Sequence, residues 1–233
     1  MLKYSKDAWA IFKVKPWQLR EEFSKKNAVD RGKTHFQPQT HSHFASQNHV
    51  ARSSQWNALK MQVAKCSACS FYEKRQNMVF GKGHWNAPVM IIGDVPSQED
   101  NLTGEPFSGQ NGQMLSAMLQ SIGLAENCCF VTLAMKCKAE KPSHSDIVAC
   151  RAHLMQQIQL LKPKVILLLG KTAAFSVLDD SRDIKELREN VFMIENAHTL
   201  VSFHPGHLFL KPEDKKWVWL DLLRFKALLA QKL

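Results

Sequence analysis

Short runs of uninterrupted apolar residues, spaced by amphipathic stretches, set the rhythm of the chain beyond residue 56. Residues 89–92, 128–135, 162–170 and 199–205 hold the apolar runs. None of the four alternates strictly, so each reads as a strand covered on both faces. Between them, residues 111–122 place Met114, Leu115, Met118 and Leu119 on one helical face, and residues 171–178 form a further helical stretch. Pro212, Glu213 and Asp214 open a last helix carrying Trp217, Leu220, Leu223, Phe225 and Leu228, proline and acids being favoured in a first turn. Residues 191–194 read as a short additional strand. Strand and helix alternate, which predicts a three-layer α/β/α sandwich around a central, four-stranded, mostly parallel sheet. A helical pattern of Trp56, Leu59, Met61 and Val63 marks the start of this domain, 56–233.

The amino-terminal part follows a different pattern. Residues 1–23 are dense in large apolar side chains, with Trp9, Ile11 and Phe12 ahead of Pro16 and then Trp17, Leu19 and Arg20. Proline ends any helix before Trp17. Such a peptide either packs back on the domain or docks in a groove of another protein with Trp17 as anchor. Residues 24–55 are rich in Ser, Gln, Asn and His and almost free of aliphatic residues, the composition of a flexible linker. A linker there favours docking at a distance.

Charge and cysteine content narrow the setting. The 233 residues carry 31 Lys and Arg against 21 Asp and Glu, a formal charge of +10 that suits a nucleic-acid or acidic neighbour. No apolar run approaches the roughly 18 residues of a membrane span, and the first residues lack a signal-peptide core, so a cytoplasmic protein without membrane contact is expected. In that compartment six cysteines argue for metal, cluster or core roles rather than disulfides. Cys66 and Cys69 form a C-x-x-C, a spacing open to zinc, an iron–sulfur cluster or a redox pair. Cys137 and Cys150 supply the partners for a four-thiolate site, either a tetrahedral ion or a cubane cluster. Cys128 and Cys129 read as core thiols.

The stretch with most chemistry is 89–109, where the first strand runs into Gly93 and a polar loop carrying Asp94, Glu99, Asp100, Glu105 and Phe107. In an open α/β sheet such loops meet in a crevice at the carboxyl edge, where ligands bind.

These motifs resemble the family 4 uracil-DNA glycosylases over about 175 residues. The likeness lies in the C-x-x-C, in GDVPSQED followed by GEPFSG, in MKC with a later ACR, in KPKVILLLGKTAA and in HPGHL. It implies a uracil-DNA glycosylase-like fold and a 4Fe-4S cluster on Cys66, Cys69, Cys137 and Cys150. It also implies that Phe107 stacks a flipped uracil, that His204 donates to the charge developing on it, and that the backbone around Gly93 shapes the pocket. An active enzyme would use His204, with Asp94 or Glu99 orienting water. The chain departs from the family at Asp94, where a glutamate is usual, and at Ser97, where a glycine is. It departs most at Leu133, which replaces the asparagine that reads the uracil edge.

A second likeness covers the amino terminus. Asp7, Trp9, Ile11, Phe12, Trp17, Leu19 and Arg20 resemble in order the collar-binding peptide of the psi subunits of bacterial DNA polymerase III, and residues 212–223 resemble the end of that subunit. This likeness implies a non-catalytic adaptor in DNA replication. Residues 1–23 would bind the tau/gamma collar of the clamp loader, and the domain would pair with the chi subunit and through it with single-stranded-DNA-binding protein. Direct DNA contact is compatible with the charge. With Leu133 in the pocket, the adaptor is the expected main function and the glycosylase the alternative.

Overall fold

A computed structural model describes residues 44–232. The docking peptide 1–23, with Trp9, Ile11, Phe12, Trp17, Leu19 and Arg20, lies outside the described residues. The first described element is helix α1 (Phe44–Ala64), so residues 44–55 of the stretch read as a linker are helical. Trp56, Leu59 and Val63 recur at i, i+3 and i+7 and are buried, while Met61 points outward. Trp56 meets Phe80 and Phe130 edge to face at 5.3 and 4.9 Å, and Arg52 donates to the Leu160 and Leu161 carbonyls, so α1 is fixed to the domain at both points.

The sheet has six strands in the order β1-β3-β2-β4-β6-β5. They are β1 (Lys82–Gly83), β2 (Val89–Gly93), β3 (Cys129–Leu133), β4 (Val165–Leu169), β5 (Val191–Ile194) and β6 (Ala197–Ser202). The central four are parallel, as the apolar runs predict, and every residue of β2, β3 and β4 is buried. Two antiparallel edge strands extend the four-stranded expectation to a mixed sheet of six. β1 has only Lys82 and Gly83, too few residues for periodicity to mark.

Between strands lie α2 (Gln98–Thr103), α3 (Gln110–Ser121), α4 (His144–Leu161), α5 (Lys171–Leu178) and α6 (Ile184–Leu187), and α7 (His207–Leu210) and α8 (Lys215–Lys232) follow β6. α4 packs on α1 and α5, and α8 packs on α3, β4 and β6, giving the α/β/α layering. Of the two thiols read as core, Cys129 is buried and Cys128 is exposed, because the strand starts one residue later than the apolar run.

From β2 the chain turns to β3 on one side, then crosses over to place β4 on the other. The carboxyl ends of β2 and β4 therefore form a topological switch point.

Candidate active site and cysteine pocket

At that edge the backbone of Gly93 is covered by two side chains. A β-carbon on Gly93 would stand 2.5 Å from Phe107 Cζ and 2.8 Å from Leu133 Cδ2, so only glycine fits beneath them. The register pairs Gly93 with Leu133, which explains why a residue of β3 reaches the loop that leaves β2. Phe107 has φ +56°, an uncommon left-handed value for an aromatic residue. Its ring stacks on the His204 imidazole at 5.6 Å between centroids and 22° between planes. Gly93, Phe107, Leu133 and His204 are thus brought together at one edge of the sheet.

Asp100 locks the loop. Its Oδ2 accepts from Ser97 N at 3.0 Å, closing a capping box at the start of α2, and its Oδ1 accepts from Ser108 N at 2.7 Å, beside Phe107. The S-x-x-D pattern of Ser97 and Asp100 signals the capping box in sequence, though not the second bond.

His204 follows β6. Burial pulls its pKa down to about 4, the Asp100 carboxylate opposing and His207 adding to the shift. Its Nδ1 accepts from Gly206 N at 3.1 Å, so the neutral ring carries its proton on Nε2. The approach of β6 is fixed from behind, where the buried Asp221 accepts from Ser202 Oγ at 2.7 Å and from Arg188 Nε and Nη2 at 3.0 and 2.8 Å. His207 pairs with Asp214 at 2.6 Å and stacks on Phe203, holding α7 beside the site with Phe209 and Leu210 exposed.

The two carboxylates assigned to water are placed differently. Asp94 Oδ1 accepts from Ala173 N at 2.8 Å, capping α5, and burial raises its pKa to about 6 against the hydrogen bonds from Ala173 and Thr172. Glu99 is exposed, its side chain lying beside Gly109.

The four predicted cysteine ligands line one pocket between α1, β3 and α4, together with Arg75, Lys136 and His153. Burial pushes the Cys150 thiol up to about 11, with Lys136 opposing and Cys137 and Cys69 adding to the shift. Burial likewise raises Cys137, whose sulfur accepts from Arg75 Nη1 at 3.4 Å. Among the described residues no three His, Cys, Asp or Glu side chains are already drawn around one ion-sized point. The donor chemistry nevertheless fits a thiolate-bound cluster: four sulfurs, two of them buried, with the Arg75 guanidinium donating to one of them. Lys136 is buried by the same wall, and its Nζ donates at 2.7 Å to Thr132 Oγ1, the Leu133 carbonyl and Gln157 Oε1. Nothing in the sequence marked this lysine as a core residue.

Residues 80–224 match the family model described as the Uracil DNA glycosylase superfamily, and the chain belongs to that superfamily. Its relatives include type-4 uracil-DNA glycosylases. That of Pyrobaculum aerophilum is 32% identical over 70% of this chain and 89% of its own length. That of Thermotoga maritima is 30% identical over 63% and 79%, and that of Archaeoglobus fulgidus 26% over 73% and 92%. These similarities overturn the reading of the chain as a non-catalytic psi subunit in DNA replication. They run through the domain that was expected to be an inert scaffold, and nothing in them supports a clamp-loader identity.

Proposed function

We propose that the protein is a DNA glycosylase that hydrolyses the N-glycosidic bond of uracil in DNA, the first step of base excision repair. The observation that carries this reading is the neutral His204, with its proton on Nε2, stacked on the Phe107 ring that covers the Gly93 backbone. A base in a duplex is out of reach of such a site and must be flipped into it. The 5.6 Å between the two rings admits no third ring and Phe107 is only 5% exposed, so a base stacks on Phe107 once that ring parts from its neighbours to open a face to it. As the bond from C1′ to the base breaks, its electron pair leaves with the base. Nε2–H then donates to the oxygen on which that charge collects. Water adds to C1′ and gives up a proton that neutralises the departing uracil anion, leaving an abasic site and free uracil. The charge of +10 draws the backbone in, and the exposed Phe209 and Leu210 stand ready to fill the gap in the stack.

Asp94 serves the site by joining β2 to α5. Leu133 offers the base edge no hydrogen bond, so uracil is held by stacking and by His204 alone, and turnover is correspondingly slow. The test is incubation with oligonucleotides containing a single uracil, single-stranded and duplex. Strand cleavage at the abasic site after alkali, slowed about 100- to 1,000-fold in His204→Ala, is expected; no cleavage by the wild type under any condition would refute the assignment.

Cys66, Cys69, Cys137 and Cys150 are the residues that would hold a 4Fe-4S cluster. When bound, it supplies a cross-link between the end of α1, the end of β3 and α4, outside the reaction. Iron and acid-labile sulfide in the purified protein, with brown colour lost in Cys137→Ser, are expected. Stoichiometric zinc in a colourless protein would refute it.

A further inference from the structure

The cysteine pocket contains a group that the four ligands do not account for. His153 lies three residues beyond Cys150 on α4, hence on the same helix face, and lines the pocket with the thiols. It is 8% exposed, and its Nδ1 has no hydrogen-bond partner. A buried polar atom without a partner is destabilising, so this one calls for an occupant of the pocket that it can bond.

The neighbouring donors show what that occupant is. Arg75 already donates to the Cys137 sulfur, and the Lys136 Nζ is turned away onto Thr132, Leu133 and Gln157. Four thiolates around an iron–sulfur core leave sulfur lone pairs and negative charge facing the walls, and hydrogen bonds to those sulfurs tune the cluster. An imidazole has one N–H and one bare nitrogen, and the tautomer with hydrogen on Nδ1 makes the unpartnered atom a donor.

We propose that His153 donates a hydrogen bond from Nδ1 to a sulfur of the cluster, a bridging sulfide or a ligating thiolate, and thereby raises its reduction potential and helps retain it. This rests on the cluster reading of the four cysteines. With four sulfurs for four iron corners, His153 is a positioning residue rather than a ligand. Its donor offsets the negative charge gained on reduction, as the Arg75 guanidinium does at Cys137.

The test is voltammetry on the full-length protein purified with its cluster, comparing wild type with His153→Phe, which keeps an aromatic ring without a donor, and His153→Gln, which restores an N–H. The expected result is a midpoint potential shifted to more negative values in His153→Phe and returned toward wild type in His153→Gln, with faster bleaching by an iron chelator in the phenylalanine variant alone. If His153→Phe does not fold, the smaller donor-free His153→Leu is read in its place, with the same negative shift expected. Identical midpoints with full iron content would overturn the proposal and leave the cluster standing. Wild-type protein without iron and sulfide would overturn both.

Discussion

Leu133 and Phe107 meet over Gly93, close enough that a β-carbon on that glycine would touch both. The leucine therefore fills the place from which a polar side chain of β3 would read the edge of a base stacked on Phe107. A missing hydrogen bond to a buried polar edge costs about 1–3 kcal/mol, a factor of about 5 to 150 in rate. Leu133→Asn is expected to speed uracil excision by a factor in that range, measured as single-turnover cleavage of a uracil oligonucleotide. No gain, in a variant that folds, would mean that the base does not approach β3.

The donor on the other side of the base makes the converse prediction. Loss of one pre-organised donor to a developing anion typically costs about 100- to 1,000-fold in the chemical step. His204→Ala is expected to lower excision by about that factor, and His204→Gln, which keeps an N–H, by less. Equal losses in both would assign His204 a packing role against Phe107.

Much of this site can be read from the sequence because its parts are local. The strand running into Gly93, the C-x-x-C and the histidine ending β6 each stand in a short recognisable pattern, and the fold brings them where α/β topology sends them. What stays hidden depends on pairs distant in sequence. Asp100 reaches Ser108, and Lys136 is buried against Gln157. No periodicity marks such contacts. The adaptor expectation fails for a different reason: it gives Leu133 and the short aromatic peptide more weight than the likeness of the whole domain. The cost of the leucine, about 1–3 kcal/mol, is small beside the roughly 8–23 kcal/mol by which enzymes lower barriers, so it slows a glycosylase without abolishing it. The aromatic peptide that pointed elsewhere is short, whereas the glycosylase likeness spans residues 80–224.

Asp94 and Gly170 are coupled as tightly as any pair at the sheet edge. Gly170 has φ +107°, and a β-carbon on it would lie 2.1 Å from Asp94 Oδ2. Gly170→Ala must therefore displace the carboxylate from the Ala173 amide as well as strain the backbone. The expected loss is about 2–4 kcal/mol of stability in chemical denaturation. In Asp94→Ala the clash is absent and only the cap is lost, so a smaller loss of about 1 kcal/mol is expected. If the double variant is as unstable as Gly170→Ala alone, the strain and not the clash dominates.

The buried state of His204 has a consequence for acid stability that is independent of catalysis. Its folded pKa of about 4 lies below the ordinary imidazole value of 6.5, so between those limits the unfolded chain binds a proton that the folded chain refuses. The folded state is thus favoured in full above about pH 6.5, and this contribution falls as pH drops toward 4. Asp94 and Asp221, both raised to about 6 by burial, act in the opposite sense, because the folded chain holds their protons when the unfolded chain has released them. Over the same window they lower stability as pH rises, so the wild-type profile is a compromise of the three groups. Replacing His204 by the non-titrating Gln removes one side of that balance. Thermal melting of His204→Gln is expected to show stability that rises more on acidification from pH 6.5 to 4 than the wild type does. Parallel profiles for the two proteins would mean that His204 titrates normally in the folded state, and the neutral donor assigned to the site would have to be abandoned.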